Sequence, residues 1–300
     1  MTPKVEKLLN GFLLSEGPNW DHNTQSLYFV DVTASTIHKY VPRENKHTQA
    51  RIGNYNVSII IPIKDKKNNF LVTLDRSVAL IEWDGESEEV TAIQKLCTVE
   101  ENTVHVFNDG KCDKTGRLWL GTMSKSAATV DGIEDNQGAL YSFYNNTINT
   151  HRHNVGVSNG IAFDYVREKM YYIDSYRYSI DQYDINFEKG TLSNQKTIFK
   201  NENKDILCDG MTIDTDGNLW VAMFGAAAVY NIDPRTGNIL RTIKIPADQI
   251  TSVSFGGPNL DELYVTSGSI IDRSFGQWPG SIFRVTGLNV KGFQADEAVI

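Results

Sequence analysis

The chain has 300 residues, 40% hydrophobic and 22% charged, a globular composition with enough apolar side chains to bury a large core. Lys and Arg total 29 against 37 Asp and Glu, a formal charge of -8 with no basic block, which argues against a nucleic-acid partner. No stretch approaches the roughly 18 uninterrupted apolar residues of a membrane span, and the opening run Met1-Thr-Pro-Lys-Val-Glu lacks a signal peptide's apolar core, so the expected protein is cytoplasmic and makes no membrane contact.

In chain order, residues 1 to 14 come first and stand outside the pattern that follows. A short run with an aromatic beside an aliphatic then recurs six times, at Leu27-Tyr-Phe-Val, Phe70-Leu-Val-Thr, Leu118-Trp-Leu-Gly, Met170-Tyr-Tyr-Ile, Leu219-Trp-Val-Ala and Leu263-Tyr-Val-Thr. With Leu27, Leu71, Leu118, Met170, Leu219 and Leu263 as markers, the steps are 44, 47, 52, 49 and 44 residues. A second alternating run follows each, from Ile37-His-Lys-Tyr in the first copy to Ile282-Phe-Arg-Val in the last, and period-two alternation marks half-buried strands. Turn signals such as Asp84-Gly85 and Asp216-Gly217-Asn218 separate them.

No long stretch carries the 3.6-residue apolar period of a helix. A repeat of about 40 to 50 residues has room for four short strands, the size of one propeller blade. The prediction is an all-β, six-bladed β-propeller with four-stranded blades, one domain over residues 1–300. Residues 1 to 14 are expected to add a strand to the last blade, closing the ring and removing an exposed edge. A β-sandwich followed by a second β domain is the plainest rival, and it leaves the sustained spacing unexplained.

Each marker is preceded, 10 to 13 residues earlier, by a polar side chain: Glu16, Ser58, Asn108, Asn159, Asp209 and Ser252. In a propeller the first strand of every blade lines the central channel, so equivalent positions face one another. Two carboxylates and two amide oxygens meeting there repel or stay unsatisfied unless something positive sits between them. All-oxygen ligands favour Ca²⁺, Mg²⁺ or Mn²⁺, and an open three-ligand site also accepts Zn²⁺. Taken singly, Asn-Gly and Asp-Gly are favoured turn dipeptides. Shared repeat position is the argument for a cluster, and Glu16-Gly-Pro has no turn chemistry to explain its carboxylate.

Two blades carry insertions between their first and second runs. The step is 10 residues from Leu27 to Ile37, but 22 from Leu118 to Leu140 and 19 from Leu263 to Ile282. The extra segments run Ser124 to Gly138 and Ser267 to Gly280, the second carrying Phe275 and Trp278. Both are expected to overhang the polar cluster, although inserted loops are also common as plain surface features.

Several longer pieces carry a resemblance: Glu16-Gly-Pro-Asn-Trp-Asp, Leu27-Tyr-Phe-Val-Asp, Phe107-Asn-Asp-Gly-Lys, Gly116-Arg-Leu-Trp-Leu-Gly-Thr-Met, Ser158-Asn-Gly, Met170-Tyr-Tyr-Ile-Asp-Ser, Asp209-Gly-Met and Phe255-Gly-Gly-Pro-Asn-Leu. In these the chain resembles the regucalcin (senescence marker protein), gluconolactonase and luciferin-regenerating enzyme family along nearly its whole length, most of all the insect members. The resemblance implies a six-bladed propeller with a divalent metal, Ca²⁺ first, and in several members hydrolysis of sugar lactones. Position by position, it implies Glu16, Asn159 and Asp209 as metal ligands, Asn108 as a substrate contact and Asp209 as the catalytic acid/base.

Two positions depart from the gluconolactonase pattern. Val106 stands where that branch has an arginine, and Ser126 where it has an acidic residue. Replacing Arg with Val removes up to five donors that a polyhydroxylated lactone would use. The expected function is metal-dependent hydrolysis of a small-molecule lactone or related ester, with no protein partner. The alternatives are a calcium-binding regulatory protein without turnover and a luciferin-regenerating type of enzyme. By strand alternation Cys208 should point away from Asp209, and His105 should serve packing.

Overall fold

Each marker run becomes the second strand of a four-stranded antiparallel sheet, and six such sheets stand round a central channel in the computed structural model, which describes residues 2–125, 136–271 and 276–300. The chain opens with β1 (Lys4–Asn10). Blade 1 is β2 (Ser15–Asp21), β3 (Ser26–Asp31), β4 (Thr36–Val41) and β5 (Lys46–Arg51). Blade 2 is β6 (Ile60–Pro62), β7 (Asn69–Leu74), β8 (Ser77–Glu82) and β9 (Ala92–Thr98). Blade 3 is β10 (His105–Cys112), β11 (Leu118–Ser124), β12 (Gly138–Tyr144) and β13 (Thr147–Val155). Blade 4 is β14 (Ser158–Asp164), β15 (Lys169–Asp174), β16 (Ser179–Asn186) and β17 (Thr191–Lys200). Blade 5 is β18 (Leu207–Ile213), β19 (Leu219–Phe224), β20 (Ala228–Asp233) and β21 (Asn238–Lys244). Blade 6 has β22 (Ile250–Gly256), β23 (Glu262–Ser267) and β24 (Ser281–Thr286), with β1 as its outermost strand, Lys4 opposite Thr286 and Asn10 opposite Ser281. The fold is a six-bladed β-propeller. No helix among the described residues is long and apolar enough to cross a membrane.

Alternation along the second strand divides the core into six wedges between neighbouring blades. Leu27 packs with Tyr264 and Ile282 of blade 6, whereas its neighbour Tyr28 packs with Phe70 and Trp83 of blade 2. The same split recurs at Leu118 and Trp119, Met170 and Tyr171, Leu219 and Trp220, and Leu263 and Tyr264. Each such side chain, taken out of water, contributes about 1.5–3 kcal/mol. Blade 2 corrects the sequence alignment by one residue: Phe70 faces blade 1 and Leu71 faces blade 3, so Phe70 is the equivalent of the other markers.

Beyond β24 the chain crosses the end of the channel where the inner strands finish. Gly292 bridges to Asp214 after β18, Ala298 to Ile63 after β6, and the Val299 N–H bonds the Gly116 carbonyl after β10. At the other end, carboxylates that close the second strands hold the chain entering the inner strands. Asp31 accepts the N–H groups of Leu13 and Leu14 at 2.7 and 3.1 Å, and Asp174 those of Gly156 and Val157 at 3.2 and 3.3 Å.

Candidate metal centre

Of the polar residues singled out by repeat position, all but Ser58 lie inside the inner strands, so the turn reading of Asn-Gly and Asp-Gly does not hold. Those five strands bulge at or beside that point. Phe107 and Gly110 in β10 face Thr122 and Leu120, three steps against two, and the bulge holds Asn108 and Asp109. Ser158 and Ile161 face Asp174 and Tyr172 around Asn159, and Cys208 and Met211 face Met223 and Val221 around Asp209. In β2 the shift falls between Glu16 and Asn19. A bulge re-aims side chains that regular alternation would send to opposite faces. The glycines have a packing reason: a Cβ on Gly160 would lie 2.7 Å from the Asp209 carbonyl, and one on Gly210 would lie 2.0 Å from Ser252 Oγ.

These bulges gather negative charge. Burial, then the neighbouring carboxylates Asp209 and Asp109, push the Glu16 carboxyl well above the ordinary carboxylate range. Burial and Asp109 do the same to Asp209, against a smaller opposing pull from the Asn159 amide. Asp209 and Asn159 are buried, while Glu16 and Asp109 keep a strip of surface along the channel. Among the described residues Glu16 Oε2 accepts only the Gly17 N–H, at 3.3 Å, and the buried Asp209 Oδ1 has no hydrogen-bond partner. Among the described residues neither carboxylate has a Lys, Arg or His within ion-pair distance. No three Asp, Glu, His or Cys side chains there form a metal cage by themselves, so a cation would need the Asn159 amide as a ligand.

Asn108 donates Nδ2 to the Ser158 carbonyl at 2.8 Å, which brings its side chain to the residue preceding Asn159. Asn159 donates Nδ2 to Ser175 Oγ at 3.0 Å, and Ser175 Oγ donates to the Cys208 carbonyl at 2.7 Å. Thr251 Oγ1 donates to the Ser15 carbonyl, before Glu16, at 2.6 Å. Ser58 is turned to its own blade, sharing a 2.8 Å bond with Thr73.

Sequence reasoning missed Asp109 and Ser175, although both stand in runs it had singled out, Phe107-Asn-Asp-Gly and Met170-Tyr-Tyr-Ile-Asp-Ser. Below Asp109, Lys111 is the cation of the channel wall. Burial lowers its pKa while Asp109 and Asp296 raise it. A cavity of about 30 Å³, room for a water molecule, lies between Asn19, Asp109, Lys111 and Ser252, and a second of about 60 Å³ reaches Tyr165 and Asp296.

Cys208 is packed in the core between blades 4 and 5, and burial pushes its thiol up to about 12, so it is no nucleophile at neutral pH. His105 is buried against Glu100, Nδ1 to Oε2 at 2.5 Å. Val106 is buried opposite Met123. Both insertions leave from strand ends beside the starts of inner strands, Ser124 opposite His105 and Ser267 opposite Ile250. Ser126 and Phe275 fall outside the described residues. Trp278 does not overhang the cluster: its ring receives Lys7 Nζ at 3.5 Å, beside the outermost strand of blade 6.

Residues 14–269 match the family model described as the SMP-30/Gluconolactonase/LRE-like region. The chain is 33% identical to regucalcin of Xenopus laevis over 292 residues, 94% of this chain and 93% of the relative. A solved luciferin-regenerating enzyme superposes with a TM-score of 0.94 at 41% identity, covering 100% of both chains. A solved calcium-binding protein, regucalcin from Agrobacterium tumefaciens, gives a TM-score of 0.85 at 21% identity over 96% of this chain and 95% of that one, a likeness of fold.

Proposed function

The chain belongs to the SMP-30/gluconolactonase/LRE-like family, and from that premise we propose a divalent-metal-dependent hydrolase of a lactone or related ester. The observation that carries this reading is the convergence of Glu16 and Asp209 from blades 1 and 5, with no basic partner among the described residues and with Asp209 Oδ1 unbonded. Such a pair is costly alone and is satisfied by a cation. Glu16, Asp209 and the Asn159 amide are hard oxygen donors, suited first to Ca²⁺ and also to Mg²⁺, Mn²⁺ or, in an open three-ligand site, Zn²⁺. A cation held there supplies Lewis acidity toward a lactone carbonyl.

The chain's own residues supply the rest. Asp209 takes a proton from the water whose oxygen bonds to the carbonyl carbon, and returns it to the ring oxygen as the acyl C–O bond breaks. Asn108, its amide nitrogen committed to Ser158, orients the substrate through its carbonyl oxygen. Val106 offers no donor where an arginine would offer five, which favours a small molecule less polar than an aldonolactone. The test is hydrolysis of a lactone and aryl-ester panel with and without chelator. Activity that survives both chelation and Asp209→Ala would exclude this mechanism.

A calcium-binding protein without turnover is the second reading, supported by the name regucalcin on the curated relatives and by the calcium-binding description of one solved neighbour. Calorimetry separates the two: a sensor binds Ca²⁺ near micromolar levels and turns over no member of the panel.

A further inference from the structure

We infer that Ser175 is a positioning residue for the cation site, engaging the Asn159 side chain through its amide nitrogen and so leaving the amide oxygen free to serve a cation. The inference rests on the reading of that cluster as a cation site. Ser175 is 1% exposed and opens the short 3-10 turn Ser175–Arg177 at the end of β15. Its Oγ lies 2.7 Å from the Cys208 carbonyl oxygen and 3.0 Å from the Asn159 amide nitrogen.

A carbonyl only accepts, so the hydroxyl's single proton is spent on Cys208. Toward Asn159 the hydroxyl then has only lone pairs to offer, and only an NH₂ group can meet them. Rotating the amide by half a turn would set two acceptors against each other in a buried place, at the cost of an unsatisfied pair. The oxygen of Asn159 is thereby directed away from Ser175. Since an NH₂ edge repels a cation and an amide oxygen binds one, this orientation decides whether Asn159 serves as a ligand at all.

The same hydroxyl fixes the backbone immediately before Asp209, so one side chain sets the register of two ligands from blades 4 and 5. The neighbouring ligands are held in an equivalent way. Thr251 of blade 6 clips the carbonyl before Glu16, and Asn108 of blade 3 clips the carbonyl before Asn159. Among these three clips, Ser175 alone bonds a ligand side chain as well as a ligand-bearing strand.

The experiment is calorimetric titration of chelator-stripped protein with CaCl₂ and with MgCl₂, for wild type, Ser175→Ala, Ser179→Ala and Asn159→Ala. Ser179 is also buried in blade 4, but its hydroxyl has no hydrogen-bond partner among the described residues, so Ser179→Ala controls for the loss of a buried oxygen. Ser175→Ala should bind Ca²⁺ about 10- to 100-fold more weakly, the range for residues that orient metal ligands, and Ser179→Ala should match wild type. Ser175→Cys, close in size but a poor acceptor, covers an alanine variant that does not fold, and its affinity should also fall. Wild-type affinity in either Ser175 variant, with loss in Asn159→Ala, overturns the role of Ser175 and leaves the cation site standing. Wild type that binds neither cation overturns both.

Discussion

Lys111 extends its Nζ to the backbone carbonyl of Met211, 2.7 Å away, tying the inner strand of blade 3 to the inner strand of blade 5. Asp109 stands on the first of these strands and Asp209 on the second, so the tether spans the base of the acidic cluster. Lys111→Met leaves the Met211 carbonyl without its donor and takes a positive charge from beside Asp109, which should cost about 1–3 kcal/mol. Urea midpoints measure that loss. Calcium affinity should not weaken with it, because removing a positive charge below the site deepens its negative potential. A variant with wild-type stability would reduce Lys111 to a passive wall.

Farther down the same strands, Trp220 Nε1 donates to Asp214 Oδ2 at 2.8 Å, and Trp119 Nε1 to Asp113 Oδ2 at 2.8 Å. The other oxygen of Asp214 accepts the N–H groups of Asp216 and Asn218, at 3.0 and 2.8 Å. One carboxylate therefore shapes the turn before the second strand and satisfies the indole buried on it. Asp214→Ala should destabilise the protein by about 3 kcal/mol, since a fully buried N–H is orphaned and charged hydrogen bonds are lost. Thermal melting checks the size, and calcium titration of the folded variant should be unchanged, because this turn lies where the inner strand leaves the channel.

These residues mark where the sequence was legible. Spacing revealed the ring because every blade must place an apolar side chain in each of two wedges, a demand that Leu118-Trp119 and Leu219-Trp220 meet visibly. It misplaced blade 2 by one residue because Phe70 and Leu71 are both apolar and either fits the pattern. Glu16, Asn159 and Asp209 stood out as polar residues at one repeat position. Asp109 did not, because strand alternation hides it and a bulge is not written in residue type. Ser175 stood in a conspicuous run, but its value lies in which atom it donates to, and composition does not encode that.

A second titration sits far from the cluster. His38 and His47 on β4 and β5 meet Nδ1 to Nε2 at 3.0 Å, with both rings stacked on Phe29. Burial first, then His47, pushes the His38 imidazole down to about 3 from its usual 6.5. As pH falls the unfolded chain takes this proton before the folded one does, so His38's contribution is whole above pH 6.5 and is lost toward pH 3. At pH 5 the loss should be about 2 kcal/mol. Urea midpoints of wild type and His38→Gln, compared at pH 7.5, 6 and 5, should show a shallower fall in the variant. Parallel falls would remove His38 as the cause.

Glu16 should carry the opposite sign. Its carboxyl is held above the ordinary range by burial and by Asp209 and Asp109, so the folded protein binds its proton more tightly than the unfolded chain does. Without a cation, stability from this group falls as pH rises past the ordinary 4.5 and goes on falling until the folded carboxyl ionises. Glu16→Gln keeps the shape, removes the charge and should therefore stabilise chelator-treated protein at pH 7.5 by about 1–2 kcal/mol, as expected where function is kept at the expense of stability. Calcium reverses the order. A cation at 100 times its Kd adds about 2.7 kcal/mol to a protein that binds it, and the glutamine variant, short of one carboxylate ligand, should gain little of that. Thermal melts with EGTA and with CaCl₂ should cross, the variant melting higher in the first and wild type in the second. A variant that melts lower in EGTA would show that Glu16 is stabilised by its neighbours rather than strained against them, and the case for a cation between the carboxylates would lose its electrostatic ground.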